Sequence, residues 1–233
     1  MKDNETVALG FLDHGTVRGE FAHDLFLLGA SRPGRFSAVC NVQDNLISRG
    51  RNQVVEQFLQ SRADWLFFVD ADQRFKPETF DALEEIADAT ERPVVTGLYF
   101  SIGGRENFLY PVPMPTIFTR HPGEKFIYDP ILHYPPNATI EIDACGAGMM
   151  LIHRGVFETL RESAEPGFEH VFFQDQPIPG GEWIGEDIVF CRMVKDAGYK
   201  IFCHTGAISP HIKHYLVTDD HFQNTLPYLD SLS

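Results

Sequence analysis

Two carboxylates, Asp70 and Asp72, directly follow the short apolar run 65–69, and their type and spacing point to metal or phosphate chemistry. The run is too short to cross a membrane, and its aromatic composition is typical of a buried strand in a parallel sheet. Side chains alternate along a strand, so both aspartates can point the same way from its carboxyl end, where open α/β sheets bind ligands. Two hard oxygen donors there suit a divalent cation with positions open for substrate phosphates. The alternative is that the pair only caps a strand and begins a turn.

A second acidic pair, Glu186 and Asp187, begins a predicted helix behind the glycine-bearing loop 180–185. Acidic residues in a first turn complement the helix dipole, and that alone explains many such pairs. The functional interpretation is that one of them is a general base, held ionised by the dipole and directed into a cleft.

Histidines near the end of the chain offer a further metal ligand. Single histidines are more often core or surface residues than ligands. A carboxylate site still needs another donor, and imidazole suits a transition ion such as manganese. The candidates are His204, His211 and His214.

Two further segments have both a structural and a ligand-binding interpretation. Gly146 and Gly148 fit either a tight turn or a close approach of backbone to a ligand, and they lack the spacing of a dinucleotide-binding loop. Arg51 and Asn52, near a predicted helix start, fit either a solvated helix end or a contact to a diphosphate or nucleotide edge.

The elements that must position these residues alternate between strand and helix over the first hundred residues. This alternation predicts a parallel sheet with helices on both faces. Prolines and aromatic residues then crowd the segment 101–136, which predicts loops and short edge strands such as 116–120. The predicted strands are 7–12, 36–42, 65–69, 94–98, 140–143, 149–152 and 200–203, and the predicted helices are 19–28, 48–60, 77–89, 156–162 and 186–197.

Length and composition restrict the class of protein. A chain of 233 residues without a Pro/Gly/Ser-rich linker predicts a single domain, 1–233. A formal charge of −14 disfavours nonspecific binding to nucleic acid or anionic lipid. The polar start and the lack of a long apolar stretch predict a cytoplasmic protein without a membrane span. The four scattered cysteines predict buried thiols rather than a zinc site or disulfides.

The order of these features resembles that of the GT-A glycosyltransferases, in particular the family-two-like group of bacteria and phages. The resemblance extends from about Val7 to about Tyr215. It implies an α/β fold of the GT-A, Rossmann-like type, with a mostly parallel central sheet flanked by helices and a loop-rich C-terminal half. Residues 1–100 would then bind the nucleotide-sugar, and residues 101–233 the acceptor.

The resemblance also implies roles for individual residues. Asp72 binds Mn²⁺ or Mg²⁺, Asp70 contacts the ribose or reaches the ion through water, and His211 completes the metal shell, with His214 as the fallback. Asp187 is the catalytic base of an inverting transfer, and Glu186 orients the acceptor. The positions implied for the nucleotide-sugar are Leu12, Arg51, Asn52, Gly146 and Gly148.

The implied activity is a metal-dependent hexosyl or pentosyl transfer from a nucleotide-diphosphate sugar, first of all a UDP-sugar. A glycan, a protein side chain and a modified nucleobase all remain open as acceptors. If a phage encodes the chain, the expected location is the host cytoplasm. The first turn, 12–15, lacks the Pro/Thr-rich sequence common in that group, which leaves the nucleobase open.

Three other functions compete with this one. A haloacid-dehalogenase-type phosphatase would use Asp70 as a nucleophile, but that family carries its motif on the first strand, and here two strands precede it. A sugar-phosphate nucleotidyltransferase requires a Gly-rich, Arg-containing loop after the first strand, which the segment 10–15 does not supply. A non-catalytic module that binds nucleotide-sugars or glycans is the alternative without enzymatic activity.

Overall fold

Strands and helices alternate along the first hundred residues of the computed structural model, as the sequence predicts. The residues that the structure describes are 1–2, 4–103, 112–124, 126–213, 223 and 226. The helices are α1 (Gly19–Ser31), α2 (Ile47–Gln60), α3 (Pro77–Ile86), α4 (Arg154–Glu162) and α5 (Glu186–Asp196). The strands are β1 (Val7–Asp13), β2 (Phe36–Gln43), β3 (Trp65–Val69), β4 (Val94–Gly103), β5 (Val112–Pro115), β6 (Ile117–Arg120), β7 (Tyr128–Pro130), β8 (Thr139–Ile142), β9 (Ala144–Cys145), β10 (Met149–His153), β11 (Gln176–Pro177), β12 (Trp183–Ile184) and β13 (Ile201–Ser209).

The central sheet has the strand order β2-β1-β3-β10-β4-β13-β8, and β5 pairs with β4. β1 is parallel to β2 and β3, and β4 is parallel to β13. β10 lies antiparallel between β3 and β4, so those two strands run in the same direction. The predicted mostly parallel sheet is confirmed. Its topology brings the carboxyl ends of β1, β3, β4 and β13 to one edge.

β3 lies in the middle of the core, and all five of its residues are fully buried. Leu66 and Phe68 pack in the cluster that contains residues of α2, α4 and α5. Trp65, Phe67 and Val69 pack in the cluster that contains residues of α1 and α3. Because both faces of the strand are covered, its sequence is continuously apolar rather than alternating.

Several predicted boundaries differ from the structure: α1 and β4 extend beyond their predicted ends at 28 and 98, and two further differences have local reasons. α3 begins at Pro77 as predicted but ends at Ile86, because the Asp88 carboxylate accepts hydrogen bonds from the amides of Thr90 and Glu91 and forms a turn there. β13 continues well beyond the predicted end at 203. A shift of register between His204 and Ile208 carries the pairing across the polar stretch 204–206.

The four cysteines are buried and free, as predicted. Within the described ranges, none of the helices combines the length and the apolarity needed to span a bilayer.

The guanidinium of Arg154 closes the end of α2. It donates hydrogen bonds to the carbonyl oxygens of Phe58, Leu59, Ser61 and Ala63 at 2.9 to 3.1 Å. The last carbonyls of a helix have no partner within it, and a cation there also complements the helix dipole. This side chain therefore fixes the connection between α2 and β3.

We expect Arg154→Lys to lower the free energy of unfolding by about 2–3 kcal/mol. An ammonium cannot reproduce the planar fork of donors, and a hydrogen bond to a charged group contributes roughly 1.5–3 kcal/mol. Urea unfolding followed by circular dichroism measures the change. The control is Arg62→Lys, an exposed arginine near the same helix end. A loss of equal size in both variants would contradict the assignment.

Candidate active site

A cavity of about 560 Å³ opens where β1 and β3 end. Leu12, Arg51, Asp70 and Asp72 line it together with residues of the segment 13–18. The volume lies within the range of small-molecule sites. The two aspartates that the sequence singles out therefore face a space large enough for a ligand.

Asp72 meets the C-terminal segment of the described chain. Its Oδ2 lies 3.0 Å from Nε2 of His211 and 2.9 Å from Nζ of Lys213. The amide of Ile212 donates to the backbone oxygen of Asp72 at 2.8 Å, and Gln73 and His211 form an antiparallel bridge. The backbone itself thus holds the two segments side by side, although 139 residues separate His211 from Asp72.

The orientation of the His211 ring suits a metal ligand. Nδ1 lies 2.9 Å from the carbonyl oxygen of Phe100, which can only accept, so Nδ1 carries a proton. Nε2 therefore faces Asp72: it donates to that carboxylate when it carries a proton, and it offers a lone pair to a metal ion when it does not. Histidine ligands of metals are commonly oriented in this way by a hydrogen bond from the other ring nitrogen.

The Asp72 carboxylate is held in its charged form. Burial alone raises the pKa of this group, but the hydrogen bonds from His211 and Lys213 outweigh burial and lower the pKa to about 2. An ionised carboxylate is the form that binds a divalent cation.

The Asp72–His211 pair fits a divalent ion. Adjacent ligands of an octahedral ion, bound at about 2.1 Å, lie about 3 Å apart, and the observed distance is 3.0 Å. In the described part of the chain no group of three or more His, Cys, Asp or Glu side chains is placed to hold one ion. Two protein ligands suit Mg²⁺ or Mn²⁺, which use substrate phosphates and water for the other positions.

Asp70 points to Arg51 instead. Both of its carboxylate oxygens lie 3.0 Å from Nη2 of Arg51, and Nη1 of the same guanidinium lies 3.4 Å from Glu186. Burial raises the pKa of Asp70 and of Glu186, and Arg51 opposes both shifts. A single buried cation therefore joins the end of β3 to the first turn of α5.

Asp187 lies beside this pair at the start of α5. Burial raises its pKa, whereas Arg51 and the backbone amide of Ile188, which donates to Oδ1 at 2.8 Å, lower it in part. The net upward shift makes the carboxylate a stronger base than an ordinary aspartate.

Arg51 is enclosed by aromatic rings. The guanidinium carbon lies 5.5 Å from the ring centre of Phe68 and 5.7 Å from that of Phe173. Nε and Nη1 have no hydrogen-bond partner among the residues that the structure describes. Asn52 holds the Phe173 segment, because its amide exchanges hydrogen bonds of 2.8 to 2.9 Å with the backbone of Phe172 and Phe173. The structure thus places Asn52 in support of Arg51.

The glycine pair encloses a tyrosine that the sequence analysis missed. The hydroxyl of Tyr99 accepts a hydrogen bond from the amide of Gly148 at 3.1 Å, and its ring packs edge-on against His211. A Cβ atom at Gly146 would lie 2.0 Å from that hydroxyl, and one at Gly148 would lie 2.9 Å from it. The close approach that requires these glycines is therefore to Tyr99, which in turn supports His211.

The remaining histidine candidates differ in position. His204 lies on β13 and accepts a hydrogen bond from the amide of Gly206 at 3.2 Å. His214 lies outside the described residues. Lys213, which the sequence places in a late cluster of basic residues with His211, was not assigned to this site, and its ammonium contacts the same carboxylate oxygen.

Comparison with known proteins finds likeness in structure but not in sequence. No protein-family model matches the chain, and no curated protein sequence matches it. A197 from STIV superposes over 90% of this chain and 86% of its own, with a TM-score of 0.55 and 17% identity. GalNAc-T7, solved with UDP, GalNAc and Mn²⁺, superposes over 98% of this chain with a TM-score of 0.59 and 11% identity.

This chain spans about half the length of GalNAc-T7, because the match covers 48% of that protein. At such low identities the likeness concerns the fold alone. The mostly parallel sheet, the helices on its two faces and these structural neighbours together show that the chain has a GT-A-like fold.

Proposed function

We propose that this protein is a metal-dependent glycosyltransferase that moves a sugar from a nucleotide-diphosphate sugar to an acceptor hydroxyl with inversion. The observation that carries the proposal is the Asp72–His211 pair, 3.0 Å apart, because Asp72 also lines a cavity of about 560 Å³. The GT-A-like fold is consistent with it, and so is the presence of UDP, GalNAc and Mn²⁺ in the GalNAc-T7 structure.

The two halves of the chain have different proposed roles. The cavity is lined by residues 12–14, 16–18, 47, 51 and 70–72, which supports a donor-binding role for residues 1–100. Glu186, Asp187 and His211 come from residues 101–233, the proposed acceptor half. We treat the chain as one domain, since residues of both halves contribute to one site.

The donor site uses charges of both signs. Asp72 and His211 would hold Mn²⁺ or Mg²⁺, which neutralises the diphosphate that leaves the sugar. Asp70, anchored by Arg51, faces the ribose or reaches the ion through water, and Leu12 lies against the nucleoside. UDP is the proposed nucleotide.

Asp187 is the proposed general base. It accepts the proton of the acceptor hydroxyl while that oxygen attacks the anomeric carbon, and the bond from that carbon to the diphosphate oxygen breaks with its electron pair on the diphosphate. Glu186, 3.4 Å from Arg51, lies beside Asp187 and orients the acceptor. The burial that raises the pKa of Asp187 strengthens it as a base.

We expect Asp187→Asn to reduce transfer by at least about 10³-fold, because an amide cannot accept the proton. Donor affinity should change little, since Asp187 is not among the cavity-lining residues. Calorimetry with UDP and Mn²⁺ measures affinity, and sugar release or transfer measures the rate. Asp196→Asn, the same change at the exposed far end of α5, is the control. Transfer at the wild-type rate in Asp187→Asn would remove the residue from this role.

We expect the rate to fall at low pH as Asp187 takes up a proton. Because burial raises its pKa, the fall should begin at a higher pH than for an ordinary aspartate, whose pKa is about 3.9. The pH dependence of kcat/KM measures the midpoint. A midpoint at or below the ordinary value would contradict the assignment.

We expect the thermal stabilisation by UDP to depend on the metal site. A ligand that binds only the folded state raises its stability, so UDP with Mn²⁺ should raise the Tm, and excess chelator should abolish both the shift and transfer. Asp72→Asn should lose the Mn²⁺-dependent part of the shift, and Asp196→Asn should retain it. A set of nucleotide-sugars in the same assay identifies the donor. Full activity in excess chelator would refute metal dependence, and donor binding without transfer or hydrolysis would favour a binding module.

A further inference from the structure

Lys213 shares one carboxylate oxygen with the proposed metal site. Its Nζ lies 2.9 Å from Asp72 Oδ2, the oxygen that also faces His211 Nε2 at 3.0 Å. The Lys213 side chain is 37% exposed and that of Asp72 is 35% exposed. The ammonium therefore reaches the carboxylate from the solvent side, whereas His211, 9% exposed, approaches from within the protein.

The two cations that can bind this oxygen compete with each other. A divalent ion on Oδ2 competes with the Lys213 ammonium for the lone pairs of that oxygen, which His211 also approaches, and the two positive charges repel each other at that distance. Ion pairs exposed to this degree contribute little to stability, so displacement of the ammonium costs little. Lysine carries a compact charge on a flexible stem of four carbons, which allows it to move to a nearby anion.

The residues around Lys213 indicate which anion its ammonium can bind after it leaves Asp72. Arg18 and Arg51 are cations that line the cavity, and Arg51 is already bound by Asp70 and Glu186. Asp72 lines the cavity, and the backbone of Ile212 is fixed to it by a hydrogen bond of 2.8 Å, so Lys213 starts from a defined point at the rim. An ammonium displaced from Asp72 at this rim would have the phosphate oxygens of a nucleoside diphosphate bound in the cavity as acceptors.

Building on the proposed function, we propose that Lys213 exchanges partners during donor binding. It neutralises Asp72 first, yields that oxygen to the divalent ion, and then donates hydrogen bonds to the terminal phosphate of the nucleoside diphosphate. No covalent bond to Lys213 forms or breaks. Lys213 is thus a second cation for the charge that develops on the leaving group.

The proposed exchange predicts that removal of the Lys213 charge changes the affinities for Mn²⁺ and for UDP in opposite directions. Lys213→Met keeps the apolar stem and removes the charge, so Mn²⁺ alone should bind about threefold to tenfold more tightly, because its internal competitor is gone. UDP in the presence of Mn²⁺ should bind about tenfold more weakly, because a charged hydrogen bond to phosphate is lost. UMP, which has no terminal phosphate of this kind, should change less than about twofold.

Isothermal titration calorimetry of the full chain with Mn²⁺, UDP and UMP provides these numbers. Lys213→Arg keeps a cation and should keep the UDP affinity within about threefold of the wild type. Lys200→Met is the control, since Lys200 forms an ion pair of the same length, 2.9 Å, with Glu141 next to the far end of β13; this pair is more exposed, and its loss should leave all three affinities unchanged. Thermal unfolding of each variant establishes that it is folded.

Each outcome decides one proposal. Tighter Mn²⁺ together with weaker UDP in Lys213→Met supports the exchange. Unchanged UDP affinity, unchanged or weaker Mn²⁺ affinity, or equal losses for UDP and UMP would overturn it while the proposed function stands. A wild-type protein that binds neither Mn²⁺ nor UDP would refute the proposed function itself.

Discussion

The buried guanidinium of Arg51 is the interaction on which the rest of the site depends. Asp70 and Glu186 lie 3.0 and 3.4 Å from it. Asp70 follows β3 and Glu186 begins α5, so the guanidinium connects two elements that are distant in the sequence. Carboxylates that are buried close together repel one another, and burial favours their protonated form. The Arg51 cation opposes both effects. Its contacts with the rings of Phe68 and Phe173 offset part of the free-energy cost of removing the guanidinium from water. Removing it would leave uncompensated buried charge, the most damaging kind of change in an ion-paired site.

Strand direction explains why distant residues converge. β1, β3, β4 and β13 end at one edge of the sheet, and β10 enters between β3 and β4 in the opposite direction. This insertion places the turn before β10 at the same edge, so that Gly148 meets Tyr99 there. The sheet thereby brings together the Asp72–His211 contact and the acidic start of α5, to which both halves of the chain contribute.

Much of this could be predicted from the sequence, because regular elements follow local patterns. The apolar run of β3, the proline that opens α3 and the glycine after α5 each place a boundary without reference to the rest of the chain. The position of β10 between β3 and β4 could not be predicted, since pairing depends on contacts distant in sequence. Asn52 and the glycines 146 and 148 were assigned to the ligand, and the structure engages them with Phe173 and Tyr99. Residue type alone does not distinguish a ligand contact from support of a neighbour.

The hydrogen bonds between the segments 72–74 and 209–212 have a consequence for how the protein folds. Their partners are more than 130 residues apart, so the entropy of closing so long a loop opposes their formation until much of the sheet is in place. During synthesis the ribosome exposes the first Rossmann-like units long before the later segment emerges. A nascent chain can therefore bury part of its aromatic core before the contact between Asp72 and His211, the proposed cation site, is able to form.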